Sequence, residues 1–347
     1  MKAIVINGKL DLHEAEVPTP EPAAGQVRLR MAFGGICGSD LHYYNEGANG
    51  EYVVREPLVP GHEMSGTVDL DPSGELAPGT PVTIHPATFG TPEPGLEDHR
   101  HLWPGGSYLG SASTWPHTQG GMSEYLVVGR DMLRVLPETL PLRRAALAEP
   151  LAVALHGIAI AGGVEGKRVL VSGSGPIGLL AAAAALAKGA TEVVATDVLP
   201  GPLERARALG VHGTVQVGVE EIPPMAFDVV LECSGVTAAI SPALVGARRA
   251  GIVVQVGMVP NEARPINLAP LVSKELQLRG TFRFNDEIDE AITMLDATPA
   301  IEAVITHELA ADRAVDAFAV AKDSAVSGKV IISLWQETTT DDGGTPA

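Results

Sequence analysis

Cysteine is nearly absent from this chain: 347 residues contain two, Cys37 and Cys233. Two thiols cannot build a disulfide scaffold, so a reducing cytoplasm is the expected home. Aromatic residues supply only 4% of the sequence. Basic residues are outnumbered, with 24 Lys and Arg against 42 Asp and Glu, a formal net charge of −18. No basic stretch interrupts that acidic background, which argues against nucleic acid or an anionic membrane as partner. Long hydrophobic runs are missing too. The longest candidate, "AALAEPLAVALHGIAIAGG", is broken by Glu149, Pro150 and His156 and is no membrane span. No targeting segment is expected, because the opening "MKAIVINGKLDLHEAE" alternates like a strand and lacks a charged head and apolar core. The last residues, "QETTTDDGGTPA", carry no apolar period and are expected to trail into solvent.

What is present is ordinary for a globular protein, with 45% hydrophobic and 19% charged residues. The length exceeds what one hydrophobic core supports, so two domains are expected. Up to about residue 140, short β segments such as "QVRLRMAF", "SGTVDL", "PVTIHP" and "SEYLVV" alternate with Pro and Gly turns. A stretch from 87 to 121, rich in Gly, Pro and His, reads as a surface lobe. From about residue 145 the pattern becomes strand–helix alternation. "KRVLVSGSG" leads into "PIGLLAAAAALAKG", "TEVVATDV" into "PLERARALG", and "FDVVLECSG" into "AAISPALVGARRAG", followed by "GIVVQVGM". Such alternation predicts parallel βαβ units, a doubly wound sheet inserted into a β-rich domain.

The strongest motif is Gly173, Gly175 and Gly178, a G-x-G-x-x-G that closes a strand and opens a helix. Glycines there permit a tight turn, close backbone approach to a pyrophosphate, and close helix–sheet packing. Asp197 ends the next strand, 19 residues after Gly178, where a carboxylate can hold the ribose hydroxyls of NAD and repel the phosphate of NADP.

Cys37 lies in "GGICGSDLHYYNEG", too polar for a core thiol. His62 and Glu63 follow in "PGHEMSG", and Glu149 precedes Pro150 in "LAEPLAVALHG". Proline favours the first helical position and pushes its predecessor out of helical geometry, so Glu149 should project from a helix N-terminus. Thiolate, imidazole and carboxylate suit a catalytic zinc with an open position, although the scattered spacing leaves a metal only one of several readings. The bland readings have their own candidates. His156 reads as packed, Cys233 as a small core residue near the cofactor edge, and His117 in "WPHTQGG" as a loop histidine. Asp98, His99 and His101 in "EDHRHLW" read as a solvated loop.

The stretches "GGICGSDLHYYNEG", "REPLVPGHEMSGTV", "LGSASTWPHTQGGMSEYLVV", "AEPLAVALHG", "VQVGM" and "LRGTFRFNDE" together resemble the zinc-dependent medium-chain dehydrogenases, in their sorbitol and L-idonate 5-dehydrogenase branch. The resemblance runs to about residue 335. It implies an α/β protein with a GroES-like β-rich catalytic domain at 1–150 and 284–347 and a Rossmann doubly wound NAD-binding domain at 151–283. It implies zinc ligands among Cys37, His62, Glu63 and Glu149, a proton relay at Ser39, and an orienting carboxylate at Asp40. Substrate contacts would be Tyr43, Glu149, Arg283 and Phe284. Cofactor contacts would be Gly173, Gly175, Pro176, Ile177, Gly178, Asp197, Val256, Gly257, Met258, Phe282 and Arg283.

The activity implied is hydride transfer between NAD and a secondary alcohol of a polyol or aldonate, in a homodimer or homotetramer. Two departures stand out. Pro202 occupies the place of an arginine that often follows the ribose acid. Phe89, Pro92, Gly95 and Trp103 replace the four cysteines of a structural zinc, so one catalytic zinc and no structural one is expected. The alternative is a zinc-free nicotinamide-binding reductase or redox-sensing protein on the same scaffold, which would have no use for the Cys–His–Glu–Glu set.

Overall fold

A computed structural model of the chain describes residues 1–335. The expectation for the tail after Trp335 lies outside the described residues. At the middle of the first half is the strand Gln26–Gly35, whose alternating apolar residues face the core of a seven-stranded sheet. It pairs antiparallel with Glu63–Leu70, Tyr125–Gly129 and Lys329–Ser333. The registers set Gly35 opposite Glu63 on one side and opposite Ile331 on the other. Three strand ends therefore meet where the chain runs on to Cys37. A Cβ at Gly35 would fall on the Glu63 carboxylate, so glycine is what lets that side chain lie across its neighbour.

The second half contains a six-stranded sheet, every neighbouring pair parallel. Its spatial order is Gly213–Gln216, Glu192–Asp197, Arg168–Ser172, Phe227–Glu232, Ala247–Gln255 and Gln277–Gly280. In chain order this is 3-2-1-4-5-6, and the direction of winding reverses between Arg168–Ser172 and Phe227–Glu232. Valine and leucine fill both faces because helices cover them, Pro176–Ala187 above all, with Ala181 to Ala185 buried. The GroES-like and Rossmann halves are thus both present. One hydrophobic cluster spans them, running from Leu136 and Ile331 through the helix Ala148–Ile160 to Val171 and Leu231.

Three sequence expectations shift. The predicted helix "AAISPALVGARRAG" stops at Gly246, and Ala247–Gln255 is strand from its first residue. The chain must break helical geometry there to reach the sheet, and Ala250 takes φ 53° on the way. The 87–121 stretch is a surface lobe only in its first part. From Tyr108 onward it turns inward, with Tyr108, Leu109, Ser111, Ala112 and His117 buried. The helix that carries Glu149 begins at Ala148, which places Pro150 third. Proline costs nothing there, since the first helical N–H groups have no intrahelical partner.

Candidate active site

The donor atoms of Cys37, His62 and Glu63 lie within 4.8 Å of one another, the only such trio of metal-binding side chains among the described residues. Each reaches the site by a different device. Cys37 caps the helix Gly38–Glu46, held there by its backbone N–H donating to Asp40 Oδ2 at 2.9 Å. His62 follows the Gly61 turn, and Glu63 opens its strand. The donors suit a divalent cation of zinc type: soft thiolate, imidazole and one carboxylate.

The electrostatics ask for positive charge. Burial alone would lower the His62 pKa, but Cys37, Asp40 and Glu149 around it outweigh burial and raise it to about 10. Its Nδ1 is buried and has no hydrogen-bond partner. A proton on His62 thus does the work a cation would do among those acids, and an orphaned buried nitrogen fits a missing ligand. The residues fit a zinc.

Lys329, which nothing in the sequence singled out, is fully inside this site. Its Nζ donates to both Glu63 carboxylate oxygens at 2.7 Å and to the Ile36 carbonyl at 3.1 Å. Burial would take its charge away, but Glu63 and Cys37 raise its pKa above the ordinary value. Desolvating two charges costs several kcal/mol each, roughly, and only geometry this close repays it. The same chemistry makes Lys329 the keeper of Glu63.

Tyr108 is the second residue that sequence reasoning missed. Its hydroxyl donates to Glu149 Oε1, and its ring lies 5.3 Å from the His62 ring. Burial and the neighbouring Glu149 push its phenol well above its usual value, which keeps the proton available to donate. Burial also raises Glu149, against the pull of His62. The Arg283 guanidinium stacks over Tyr108 at 4.1 Å and over Phe282 at 4.8 Å. Arg283 holds φ 52°, a strained value for a non-glycine residue.

Other expected site residues divide. Ser39 is half-buried in the first turn of its helix, and its hydroxyl makes no hydrogen bond among the described residues. Asp40 is fully buried but bonds the backbone of Cys37, and of Gly61 at 3.4 Å, instead of the His62 ring. It therefore fixes the loop, and it acts on His62 through charge. Tyr43 is 1% exposed, and its hydroxyl is taken by Ser111 Oγ and the Ala112 N–H. Phe284 is packed in the core, 4.7 Å from the His85 ring. Neither side chain is free to meet a substrate, because its polar or apolar surface is already satisfied. His117 is likewise tied down, accepting from the Arg55 N–H at 3.0 Å. His156 is packed, with Nδ1–H donating to Glu287 at 2.6 Å. In the lobe His99 is exposed, whereas His101 is half-buried with its ring 4.8 Å from His156, so the solvated-loop reading fails for His101.

The dinucleotide fingerprint has the expected division of labour. Gly173 adopts φ 90°, and a Cβ there would come within 2.7 Å of Ser234. A Cβ at Gly178 would strike the Gly173 carbonyl, whereas one at Gly175 would meet nothing and face open space. Pro176 and Ile177 open the helix, half-buried. Asp197 accepts from the Ser174 N–H and the Leu199 N–H, both at 3.0 Å, which fixes its carboxylate at the strand end. Val256 touches the position a Cβ of Gly157 would occupy, and Gly257 packs on Gly235. Met258 and Phe282 are exposed. Cys233 is packed against the core, its thiol pushed up by burial.

Comparison with known proteins gives the same outline. Residues 23–138 match the alcohol dehydrogenase GroES-like domain, and residues 176–297 match the zinc-binding dehydrogenase domain. Sorbitol dehydrogenase of Gallus gallus is 34% identical over 337 residues, 92% of this chain and 93% of that protein. L-idonate 5-dehydrogenase (NAD(P)(+)) of Escherichia coli K12 is 37% identical over 273 residues, 77% of this chain and 79% of that protein. The crystal structure of Escherichia coli L-idonate 5-dehydrogenase superposes with a TM-score of 0.89 at 31% identity, covering 96% of this chain and 97% of the other. With a Cys–His–Glu site at the end of a GroES-like sheet and a dinucleotide fingerprint on a Rossmann sheet, the chain belongs to the zinc-binding medium-chain dehydrogenases.

Proposed function

We propose that this enzyme moves hydride between NAD and a secondary alcohol of a polyol or aldonate, with L-idonate and sorbitol foremost. The observation that carries the reading is the run Glu149–Tyr108–Arg283 beside the Cys37–His62–Glu63 trio. A chain of hydroxyls can bond the remaining lone pairs of the Glu149–Tyr108 pair and the half-buried Arg283 guanidinium, which an apolar alcohol would leave unused. A zinc-free reading leaves the converging donors without a task.

In this reading Cys37, His62 and Glu63 would hold the zinc, with Glu149 beside it or acting through water. Zinc when bound supplies Lewis acidity toward an alcohol oxygen, and NAD supplies the hydride acceptor. The chain does the rest. Ser39, with its unengaged hydroxyl, passes the substrate proton toward solvent. Tyr108 and Arg283 orient neighbouring hydroxyls or a terminal carboxylate. Lys329 balances the charge of Glu63 and orients its carboxylate. Asp197 favours NAD over its phosphorylated form. Residues 1–150 and 284 onward form the catalytic domain in this assignment, and 151–283 the NAD domain.

The substrate is a small molecule. No helix among the described residues is long and apolar enough to cross a membrane. We assign a cytoplasmic home on the scarcity of cysteine, and no nucleic-acid partner on the acidic balance. A homodimer or homotetramer is supported by the sheet edge Gln277–Gly280, with no outer partner among the described residues and Leu278 42% exposed.

Metal analysis joined to a screen of sugar alcohols, aldonates and simple alcohols for NAD reduction tests this. One tightly held zinc per chain and turnover of polyols or aldonates are expected. Efficient oxidation of ethanol with none of polyols overturns the substrate reading, and two tightly held zincs overturn the metal count. Arg283→Ala then separates the candidates, since a paired carboxylate loses more than a neutral hydroxyl.

A further inference from the structure

Glu232 is a completely buried carboxylate for which the reaction above has no use. It ends the strand Phe227–Glu232, at the point where the winding of the six-stranded sheet reverses. Such a carboxylate is costly to bury unless its lone pairs are filled. Here they are. Oε1 accepts from the Ser234 N–H at 3.1 Å, from Ser234 Oγ, and from Ser172 Oγ at 3.4 Å. Oε2 accepts from the Gly235 N–H at 3.2 Å and from Gln255 Nε2 at 2.5 Å. Gln255 in turn donates to the Gly257 carbonyl at 2.8 Å.

Those partners are not scattered. Ser172 precedes the fingerprint glycines, Ser234 packs on Gly173, and Gln255 leads into Val256, Gly257 and Met258. Gly235 and Gly257 are in backbone contact, so the two loops brace each other. Val256 also abuts Gly157, in the last turn of the helix whose first turn carries Glu149. Asp197 lies the other way, on the strand beyond Arg168–Ser172. A dinucleotide laid across the reversal point therefore meets Asp197 with its adenosine half and the Glu232-braced loops with its nicotinamide half.

We infer that Glu232 is a positioning residue for the nicotinamide half of the cofactor, acting through the Ser234–Gly235 and Gln255–Met258 loops. The inference rests on the dinucleotide reading of the cleft, and the experiment separates the two. NADH and AMP are titrated, by NADH fluorescence and by calorimetry, against the zinc-loaded parent and Glu232→Gln, which keeps the shape but turns an amide toward the donors. Hydrogen bonds to a charged group are strong enough that NADH should bind about tenfold more weakly or worse. AMP affinity should fall clearly less than NADH affinity, because Asp197 is held by the Ser174 and Leu199 N–H groups and not by Glu232.

The KM for the polyol and the zinc content should hold while the KM for NAD rises. Failure of the parent to bind NADH defeats the dinucleotide reading itself. Unchanged NADH affinity in a folded Glu232→Gln, or equal losses for NADH and AMP, overturns the positioning role alone. Should Glu232→Gln fail to fold, Gln255→Met decides by the same two titrations. It leaves the carboxylate in place and removes the link to Gly257, and an unchanged ratio of NADH to AMP affinity overturns the inference.

Discussion

Lys329 has no motif around it, and in the sequence "SGKVIISLW" it reads as a strand's polar start. Its role exists only because Gly35 stands between Glu63 and Ile331 across three paired strands, 266 residues of sequence separating the two charges. Tyr108 was hidden in the same way, inside a stretch whose composition suggested surface. Local motifs such as Cys37, His62 and Gly173 are visible because glycine, proline and metal-ligand types stand out nearby. A long-range pair is visible to no window. The Lys329–Glu63 pair gives a direct test. Lys329→Met leaves a buried carboxylate uncompensated, which costs about 3–5 kcal/mol in comparable pairs. Urea unfolding should show that loss in the metal-stripped protein and a smaller one with zinc, since the metal can replace the lost cation. Equal losses with and without zinc would show that Glu63 does not face the metal. Asp197 belongs to this scale as well. A fixed carboxylate meeting a 2′-phosphate disfavours NADP by a few kcal/mol, on the order of a hundredfold. Asp197→Ala should narrow the ratio of kcat/KM for the two cofactors mainly by weakening NAD.

At the scale of elements the fingerprint turn was the most readable part of the chain, because strand, turn and helix all agreed with one another. The three glycines nevertheless do different things, and two substitutions separate them. A methyl at Gly178 meets the Gly173 carbonyl, so Gly178→Ala forces the helix Pro176–Ala187 away from the turn. A methyl at Gly175 meets nothing, and its φ of −70° suits alanine. Gly178→Ala should therefore lower Tm by several degrees, as overpacking costs about 1–3 kcal/mol. Gly175→Ala should leave Tm unchanged and weaken NADH binding, because the methyl enters the space the pyrophosphate needs. The opposite pairing of effects would reverse the two assignments. Where elements were misread, tertiary demands had overridden local pattern. "ARRAG" continues a helical composition, yet the parallel sheet needs that segment as its fifth strand in the chain. Likewise Tyr43 and Phe284 follow the resemblance in sequence but spend their side chains on the core.

Across the whole molecule, the two halves are joined as well as juxtaposed. The helix Ala148–Ile160 carries Glu149 at one end and His156 near the other, inside the cluster that spans both domains. His156 reaches Glu287, which precedes the helix Ile288–Ala297 and also accepts from the Asn285 N–H at 2.7 Å. Arg100 of the lobe pairs with the adjacent Asp286, so the contact also anchors the stretch that carries Phe89, Pro92, Gly95 and Trp103. Burial would raise the Glu287 carboxyl, but the His156 and backbone hydrogen bonds outweigh it and hold the pKa at about 2, below the ordinary 4.5. A carboxyl depressed by folding stabilises the native state above its unfolded pKa. Its contribution fades as pH falls from about 4.5 toward about 2. Glu287→Gln should therefore destabilise the protein by about 2–3 kcal/mol near neutrality, with the difference from the parent shrinking steadily through that acid window. Urea unfolding across that pH range, read by both Trp fluorescence and circular dichroism, measures the difference directly. A constant gap at every pH would mean that packing alone, and not the charge on Glu287, holds the lobe and the two halves at this seam.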